Sequence, residues 1–213
     1  MLLGRLHTSL ERSKLKQCNT MKATLGIIAV ILTFLAYIPY YRDILKGKTH
    51  PHVYSWSLWG LLTILIVALQ IKGGAGPATW VTISAGLLCL GVVFLSLKNG
   101  KKDITISDTI TAILSLLAII FWLLASQPIV SIFLAVTADV LAFFPTFRKS
   151  WHQPYTETLS LYITNSFRFA LALLAIEHYT ILSTLWIATW ATMNAVFSIM
   201  LLVRRRQQKI SKQ

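Results

Sequence analysis

Long apolar runs separated by short polar or turn-forming segments make up most of this sequence. A helix that crosses a bilayer needs roughly 20 mainly apolar residues. By that measure we predict seven transmembrane helices, at 23–45, 53–71, 77–97, 107–126, 128–147, 157–177 and 179–203. The run at 110–125 is apolar almost throughout, whereas a barrel strand would alternate over about ten residues. The pattern therefore predicts an all-α integral membrane protein.

Landmarks within these apolar runs recur in the same order, which indicates an internal repeat. Pro145 lies 106 residues after Pro39, in the similar contexts Ile-Pro-Tyr-Tyr-Arg (38–42) and Phe-Pro-Thr-Phe-Arg (144–148). Further pairs are Pro51 with Pro154, Ser57 with Ser160, Trp59 with Tyr162, and Trp80 with Trp186. Matches that keep their order across three helices indicate one structural unit present twice.

This repeat predicts two parallel three-helix repeats joined by one linker helix, a 3+1+3 arrangement. The predicted segments are an N-terminal tail at 1–22, a first repeat at 23–98, a linker helix at 99–127, a second repeat at 128–204 and a basic tail at 205–213. Because three is odd, direct fusion would invert the second copy, and one extra helix restores its orientation. Parallel triplets with a site between them at mid-depth are one known transporter plan.

The first 20 residues fit the repeat least well. Met21 is followed directly by the first apolar run, so it is one candidate for the natural start, with the preceding residues as an upstream extension. The alternative is a short disordered tail. The segment lacks the apolar stretch of a cleavable signal peptide.

Composition and charge agree with a membrane protein. Hydrophobic residues make up 55% of the chain and charged residues 13%, with a mean hydropathy of +0.66. The net charge of +13 lies in loops and tails beside the predicted helices, where it indicates topology and attraction to anionic lipid. The expected partner is therefore a lipid bilayer rather than a nucleic acid.

The basic residues also predict the orientation, since Lys and Arg near helix ends stay in the cytoplasm. Thirteen of the twenty lie on the side of the C-terminus, which we therefore place in the cytoplasm, with the N-terminus outside. The thirteen are Arg42, Lys46, Lys48, Lys98, Lys101, Lys102, Arg148, Lys149, Arg204, Arg205, Arg206, Lys209 and Lys212.

Over roughly residues 23–204 the chain resembles the PQ-loop and sugar-transporter (SWEET) superfamily, which includes nicotinamide riboside carriers of the PnuC type. The resemblance rests on topology, orientation and the prolines Pro39 and Pro145; the family's glutamine is replaced by Tyr40 and Thr146. It implies a carrier for a small solute such as a sugar, vitamin or amino acid in the bacterial cytoplasmic (inner) membrane. It also implies that both prolines are hinges of the inner gate, whereas the residues alone equally allow static kinks.

Two ionisable residues fall inside predicted transmembrane helices. Asp139 lies nine residues before Arg148, and Arg168 lies eleven residues after Glu157. At 1.5 Å per residue both are about 13–16 Å from the cytoplasmic border, so we predict a direct ion pair at mid-membrane. Such residues cost at least about 2.5–3.5 kcal/mol at a helix centre, which leaves three roles open: a structural pair, a solute anchor at Arg168, or a proton-coupling switch at Asp139.

Polar and aromatic residues at helical spacing extend the candidate site. An aromatic wall with an amide suits a sugar or heterocyclic ring, and Asn194 matches by position the substrate-binding asparagine of the resembled family. The candidate substrate-binding residues are Asn194, Trp190, Asn165, Arg168, Asp139 and Tyr162. We interpret Trp186 as an interfacial anchor, and Tyr54, Trp56 and Trp59 as an aromatic belt at the cytoplasmic border.

The sequence carries no enzyme signature, such as a nucleophile elbow or a phosphate-binding loop. Cys18, Cys89 and the histidines lack metal-ligand spacing, so neither a metal nor a cofactor is expected. The leading interpretation is a carrier for a small polar solute that works by alternating access between two three-helix bundles. The alternative is a non-transporting assembly partner or a receptor-like protein with the same fold. The solute, the coupling ion and a homo-oligomeric state stay open.

Overall fold

A computed structural model describes residues 2–99, 105–124 and 127–210. Over these residues the chain forms seven α-helices and no strand, which confirms the all-α prediction. The helices are α1 Leu2–Leu45, α2 Val53–Lys72, α3 Ala78–Asn99, α4 Ile106–Leu124, α5 Pro128–His152, α6 Leu159–Leu174 and α7 Ile181–Ile210. The ends of the predicted linker segment and of the basic tail, at 100–104, 125–126 and 211–213, lie outside the described residues, as does residue 1.

Five of the described helices are long and apolar enough to cross a membrane. They are Glu11–Leu45, Val53–Lys72, Ala78–Leu97, Pro128–His152 and Ile181–Ile210. The apolar segments Ile106–Leu117 and Leu159–Leu174 are shorter. Large apolar side chains are exposed around the bundle, for example Ile64 at 66%, Leu87 at 65% and Phe167 at 61%. An outer surface of this kind is suited to lipid, so the structure is that of an α-helical membrane protein.

The interior of the bundle, by contrast, contains charged and polar groups. Arg168 and Glu157 are 1% exposed, and Asp139 and Lys149 are 3% exposed. Charged groups at membrane depth are costly unless they face the protein interior and find partners. The interior is therefore where a functional site is to be sought.

Residues 2–22 are not a disordered tail, because they continue α1 as helix. The segment contains several good helix formers, including leucine, lysine, arginine and glutamine. The side chains at 11–21 are exposed, so this part of the helix carries no buried apolar face. The helix therefore extends beyond the predicted membrane-spanning segment, and Met21 as the natural start stays a prediction.

The described helices other than α4 pack in two sets of three, α1 to α3 and α5 to α7. In one set α3 packs against both α1 and α2, and in the other α7 packs against both α5 and α6. Between the sets, α1 packs against α6 and α2 packs against α5, while α4 packs mainly against α5. The repeat matches α1 with α5 and α2 with α6, so these two contacts between the sets are equivalent to each other.

Candidate functional site

A cavity of about 30 Å³ lies where α1, α2, α3, α6 and α7 meet. Tyr37 and Trp56 line it from the first set of helices, and Asn165, Arg168 and Trp190 line it from the second. By the usual measure this volume holds one or two water molecules. The structure therefore shows a contracted central cavity whose walls come from both sets.

Arg168 is the charged residue on the wall of this cavity, and it comes from the middle of α6. Its Nε donates to Oδ1 of Asn165 at 2.7 Å, and its Nη1 donates to Oγ1 of Thr33 in α1 at 3.2 Å. The guanidinium carbon lies 4.1 Å from the ring centroid of Phe169, which is a cation–π distance. These contacts hold the guanidinium in place at the boundary between the two sets.

The predicted ion pair between Asp139 and Arg168 does not form. Oδ2 of Asp139 instead accepts hydrogen bonds from Nε1 of Trp186 and, at 3.0 Å, from Nε1 of Trp190. The position that actually contacts Arg168 is Thr33, which the repeat matches with Asp139. The predicted partner was on the wrong helix, because position along a helix does not fix the direction in which a side chain points.

Asp139 lies behind the indole wall rather than inside the central cavity. Its carboxylate borders a second, smaller cavity together with Met193 of α7, and its Oδ1 is buried without a hydrogen-bond partner among the described residues. The backbone oxygen of Asp139 accepts from Nε1 of Trp59 at 3.2 Å. Asp139 thus positions three tryptophans that wall the central cavity, which is a supporting role toward any solute there.

The tryptophans form a buried aromatic shell, and this corrects two interpretations of the sequence. Trp186, interpreted as an interfacial anchor, is 3% exposed and lies 5.5 Å from Phe169 between ring centroids. Trp56 and Trp59, interpreted as a surface belt, are 3% and 4% exposed. The centroids of Trp59 and Trp190, which belong to different sets, are 5.2 Å apart in an edge-to-face arrangement, a favourable aromatic geometry.

Asn194 lies close to this shell but does not line the central cavity. Its side-chain nitrogen donates to the carbonyl oxygen of Trp190, one turn earlier, at 2.7 Å. Its Oδ1 is buried and has no partner among the described residues. Of the six candidate substrate-binding residues, Tyr162, Asn165, Arg168 and Trp190 line the cavity; the role assigned to Asn194 stays a prediction.

Glu157 connects four helices at the end of the bundle where α1, α5 and α7 end, which we call the C-terminal end. Its Oε1 lies 2.5 Å from Nζ of Lys149 in α5. Its Oε2 accepts from the hydroxyls of Tyr40 in α1 at 3.2 Å and Tyr162 in α6 at 3.0 Å. Arg205 in α7 donates from Nη2 to the backbone oxygen of Glu157 at 2.6 Å. The sequence marked Glu157 only as a helix border, because two of its partners, Tyr40 and Arg205, are distant in the chain.

Hydroxyl contacts complete the closure at this end. Oγ1 of Thr49, in the α1–α2 connection, lies 2.5 Å from Oγ1 of Thr158, which itself donates to Oδ2 of Asp43 at 3.0 Å. Between α5 and α2, Thr146 donates to Oγ of Ser55 at 3.0 Å. Each of these contacts joins the first set of helices to the second at the end of the bundle where α7 ends.

At the opposite end two loops, one from each set, lie against each other. The backbone nitrogen of His178 donates to the oxygen of Gly74 at 3.0 Å, and Oγ1 of Thr180 donates to the oxygen of Gly73 at 3.1 Å. A Cβ at Gly73 would lie 2.7 Å from Cβ of Leu182, so the close approach requires glycine there. Contacts between the two sets are therefore present at both ends of the bundle.

The two predicted hinge residues lie next to the C-terminal closure. Helices α1 and α5 continue through Pro39 and Pro145, each of which removes one backbone hydrogen bond from its helix. The residues directly after them, Tyr40 and Thr146, are fully buried and make the contacts between the sets described above. A change of bend at either proline would move these contacts; whether the prolines act as hinges stays a prediction.

The N-terminal end of α4 is tied to both sets by Asp108. Its carboxylate accepts from Nε and Nη2 of Arg148 in α5 at 2.9 and 2.7 Å. Nε2 of His52, directly before α2, lies 3.3 Å from Oδ2 of Asp108. Burial lowers the pKa of His52 despite the attraction of Asp108, so the imidazole is neutral at pH 7 and donates a hydrogen bond rather than forming an ion pair.

Replacement of Asp139 separates its structural role from a functional one. Asp139→Leu leaves two buried indole N–H groups without an acceptor, at about 1–3 kcal/mol each, and is expected to lower the yield of folded protein sharply. Asp139→Asn keeps an oxygen acceptor and is expected to fold in nearly full yield. Size-exclusion chromatography and uptake by reconstituted vesicles would measure both properties. An Asn variant with full yield and lost uptake would exclude a purely structural role, whereas a misfolded Asn variant would contradict our expectation.

The chain matches no protein-family model, no curated protein and no solved structure. Among the described residues, no group of three or more His, Cys, Asp and Glu side chains is placed to hold a metal ion. The chemistry of the site is therefore that of a buried guanidinium, an amide and an aromatic wall.

Proposed function

We propose that this protein is a membrane carrier for a small polar solute, with one central site that opens alternately to the two sides of the membrane. The observation that carries the proposal is the central cavity between the two sets of helices. It is lined by Arg168, Asn165 and tryptophans, and the two sets contact each other at both ends of the bundle. A site of this kind becomes accessible when the sets separate at one end while they stay together at the other.

The packing of the helices supports the 3+1+3 arrangement as part of this proposal. The contact of α1 with α6 and that of α2 with α5 are equivalent under the repeat, as expected for two parallel bundles. We propose that α4 and α6 also span the membrane. The shorter α6 packs against α1 and α7, which are long enough to span, and it carries the mid-depth residue Arg168. This arrangement, with Pro39 and Pro145, supports membership of the PQ-loop and SWEET superfamily.

The closure around Glu157 is proposed as the inner gate of the carrier. The excess of basic residues at this end supports a cytoplasmic C-terminus, and a bacterial inner membrane is part of the proposal. Because Tyr40 and Thr146 directly follow Pro39 and Pro145, a change in either bend would separate Tyr40 from Glu157 or Thr146 from its partner. In this proposal the contracted cavity, with contacts between the sets at both ends, corresponds to an occluded state of the cycle.

The proposal is tested by binding followed by transport. Purified protein is first screened by thermal shift against sugars, vitamins, amino acids and carboxylates, since a ligand that binds the native state raises the melting temperature. Solutes that bind are then offered in radiolabelled form to vesicles that contain the protein. Saturable uptake above that of protein-free vesicles is expected. If a solute binds but none enters, the alternative of a receptor-like or assembly protein is the better one.

A further inference from the structure

The polar groups on the wall of the central cavity present donors to it. Nε1 of Trp56 is buried and has no hydrogen-bond partner within the described part of the chain. Arg168 donates to described residues only from Nε and Nη1, which leaves Nη2 unused. Oδ1 of Asn165 is occupied by Arg168, so the free group of this amide is its nitrogen. A ligand that completes these hydrogen bonds must bring acceptors.

The cavity also carries an uncompensated positive charge. Arg168 is 1% exposed, and in the described residues its hydrogen-bond partners are an amide and a hydroxyl rather than a carboxylate. The carboxylate of Asp139 is engaged by Trp186 and Trp190 and does not line this cavity. A buried charge without a counter-ion is unfavourable, and a bound anion would relieve that cost. The guanidinium carries a single positive charge, so a ligand with a single carboxylate neutralises it.

The remaining wall favours a flat ligand with an apolar body. Phe169 covers the guanidinium at 4.1 Å, which leaves the edge of the guanidinium for a carboxylate. Trp59 lies edge-to-face with Trp56 at 5.3 Å and with Trp190 at 5.2 Å. Aromatic faces at these positions can hold a ring. A neutral sugar fits less well, because it brings no charge to pair with Arg168.

We propose that the solute of this site is a small aromatic or heteroaromatic monocarboxylate. Arg168 binds the carboxylate, Trp56 and Asn165 donate to its oxygens, and the tryptophans enclose the ring. The assignment rests on the proposed carrier function, since it concerns the same cavity. The two sets of helices must separate to admit such a ligand, because the closed cavity holds only water-sized molecules.

The test compares benzoate with benzamide, which has the same ring and nearly the same shape but no charge. Dissociation constants are measured for the full chain in detergent, by quenching of tryptophan fluorescence and by calorimetry. Benzoate is expected to bind about tenfold or more tightly than benzamide. Arg168→Gln is expected to remove this preference and Arg168→Lys to keep part of it. Lys72→Gln, at the exposed end of α2, is the control and should leave both affinities unchanged.

Three results would overturn the assignment: no binding of benzoate, equal affinity for benzoate and benzamide, or benzoate affinity unchanged by Arg168→Gln in a folded variant. The comparison of the two ligands needs no variant, so it is decisive even if Arg168→Gln fails to fold. Uptake of labelled benzoate separates the two proposals. Binding without uptake would leave the ligand class standing and reject the carrier. Uptake of a neutral solute, without binding of benzoate, would support the carrier and reject the ligand class.

Discussion

A disulfide between positions 49 and 158 is expected to abolish solute uptake, and its reduction is expected to restore it. Thr49 belongs to the first set of helices and Thr158 to the second, and their hydroxyl oxygens are 2.5 Å apart. Sulfur atoms at these positions are close enough for a bond of about 2.05 Å. The bond would hold the C-terminal end shut, and a carrier that works by alternating access cannot complete its cycle with one end locked.

The experiment uses Thr49→Cys and Thr158→Cys together in a Cys18→Ser background, because Cys18 is exposed whereas Cys89 is buried. Uptake is measured in vesicles before oxidation, after oxidation and after reduction, with the cross-linked fraction read from gels. Each single cysteine variant should transport under all three conditions. Undiminished uptake by fully cross-linked protein would show that this end does not open during transport, and the proposed inner gate would be rejected.

Loss of the Glu157 side chain is expected to destabilise the protein more than any surface change. Glu157→Ala leaves Lys149 charged and buried at 3% exposure, and the hydroxyls of Tyr40 and Tyr162 lose their shared acceptor. Removal of one partner from a buried ion pair costs about 3–5 kcal/mol. Unfolding in mixed micelles, followed by circular dichroism, would measure the change in the free energy of unfolding.

Two further variants serve as controls for the effect of Glu157→Ala on the free energy of unfolding. Arg42→Ala removes a pair with Asp43 in which the arginine side chain is 59% exposed, and such pairs contribute about 0–1 kcal/mol. Combining Lys149→Met with Glu157→Leu removes both charges, so it should recover a large part of the stability lost in Glu157→Ala. A Glu157→Ala protein no less stable than Arg42→Ala would mean that the closure around Glu157 contributes little.

The helices were predictable because hydropathy and turn residues act locally. The prediction of 53–71 for the second helix agrees with Val53–Lys72, since Gly73 ends the helix directly after the apolar run. The sixth helix is shorter than its predicted range of 157–177 and runs from Leu159 to Leu174. Glu157 and the loop that follows α6 are held by contacts with distant parts of the chain, which a local pattern does not contain.

For the candidate site, the sequence predicted the positions of residues along each helix but not the directions in which their side chains point. Spacing alone placed Tyr162, Asn165 and Arg168 on one face of α6, and all three line the cavity. The partner of Arg168 was assigned to Asp139, at the right depth but on the wrong helix, whereas Thr33 occupies the matching position in the first copy. The sequence cannot distinguish between candidate partners at the same depth in different helices. That choice depends on the rotation of each helix about its own axis.

The sequence by itself determined the helical class, the order of the helices and the repeat, because these depend on neighbouring residues and on the length of each apolar run. Only the tertiary structure decided which faces turn inward. Trp56, Trp59 and Trp186 show why: near the end of a membrane helix, an indole is stable both at the lipid interface and inside the protein. Packing between the two sets buried all three beside Arg168, and so made the wall of the cavity.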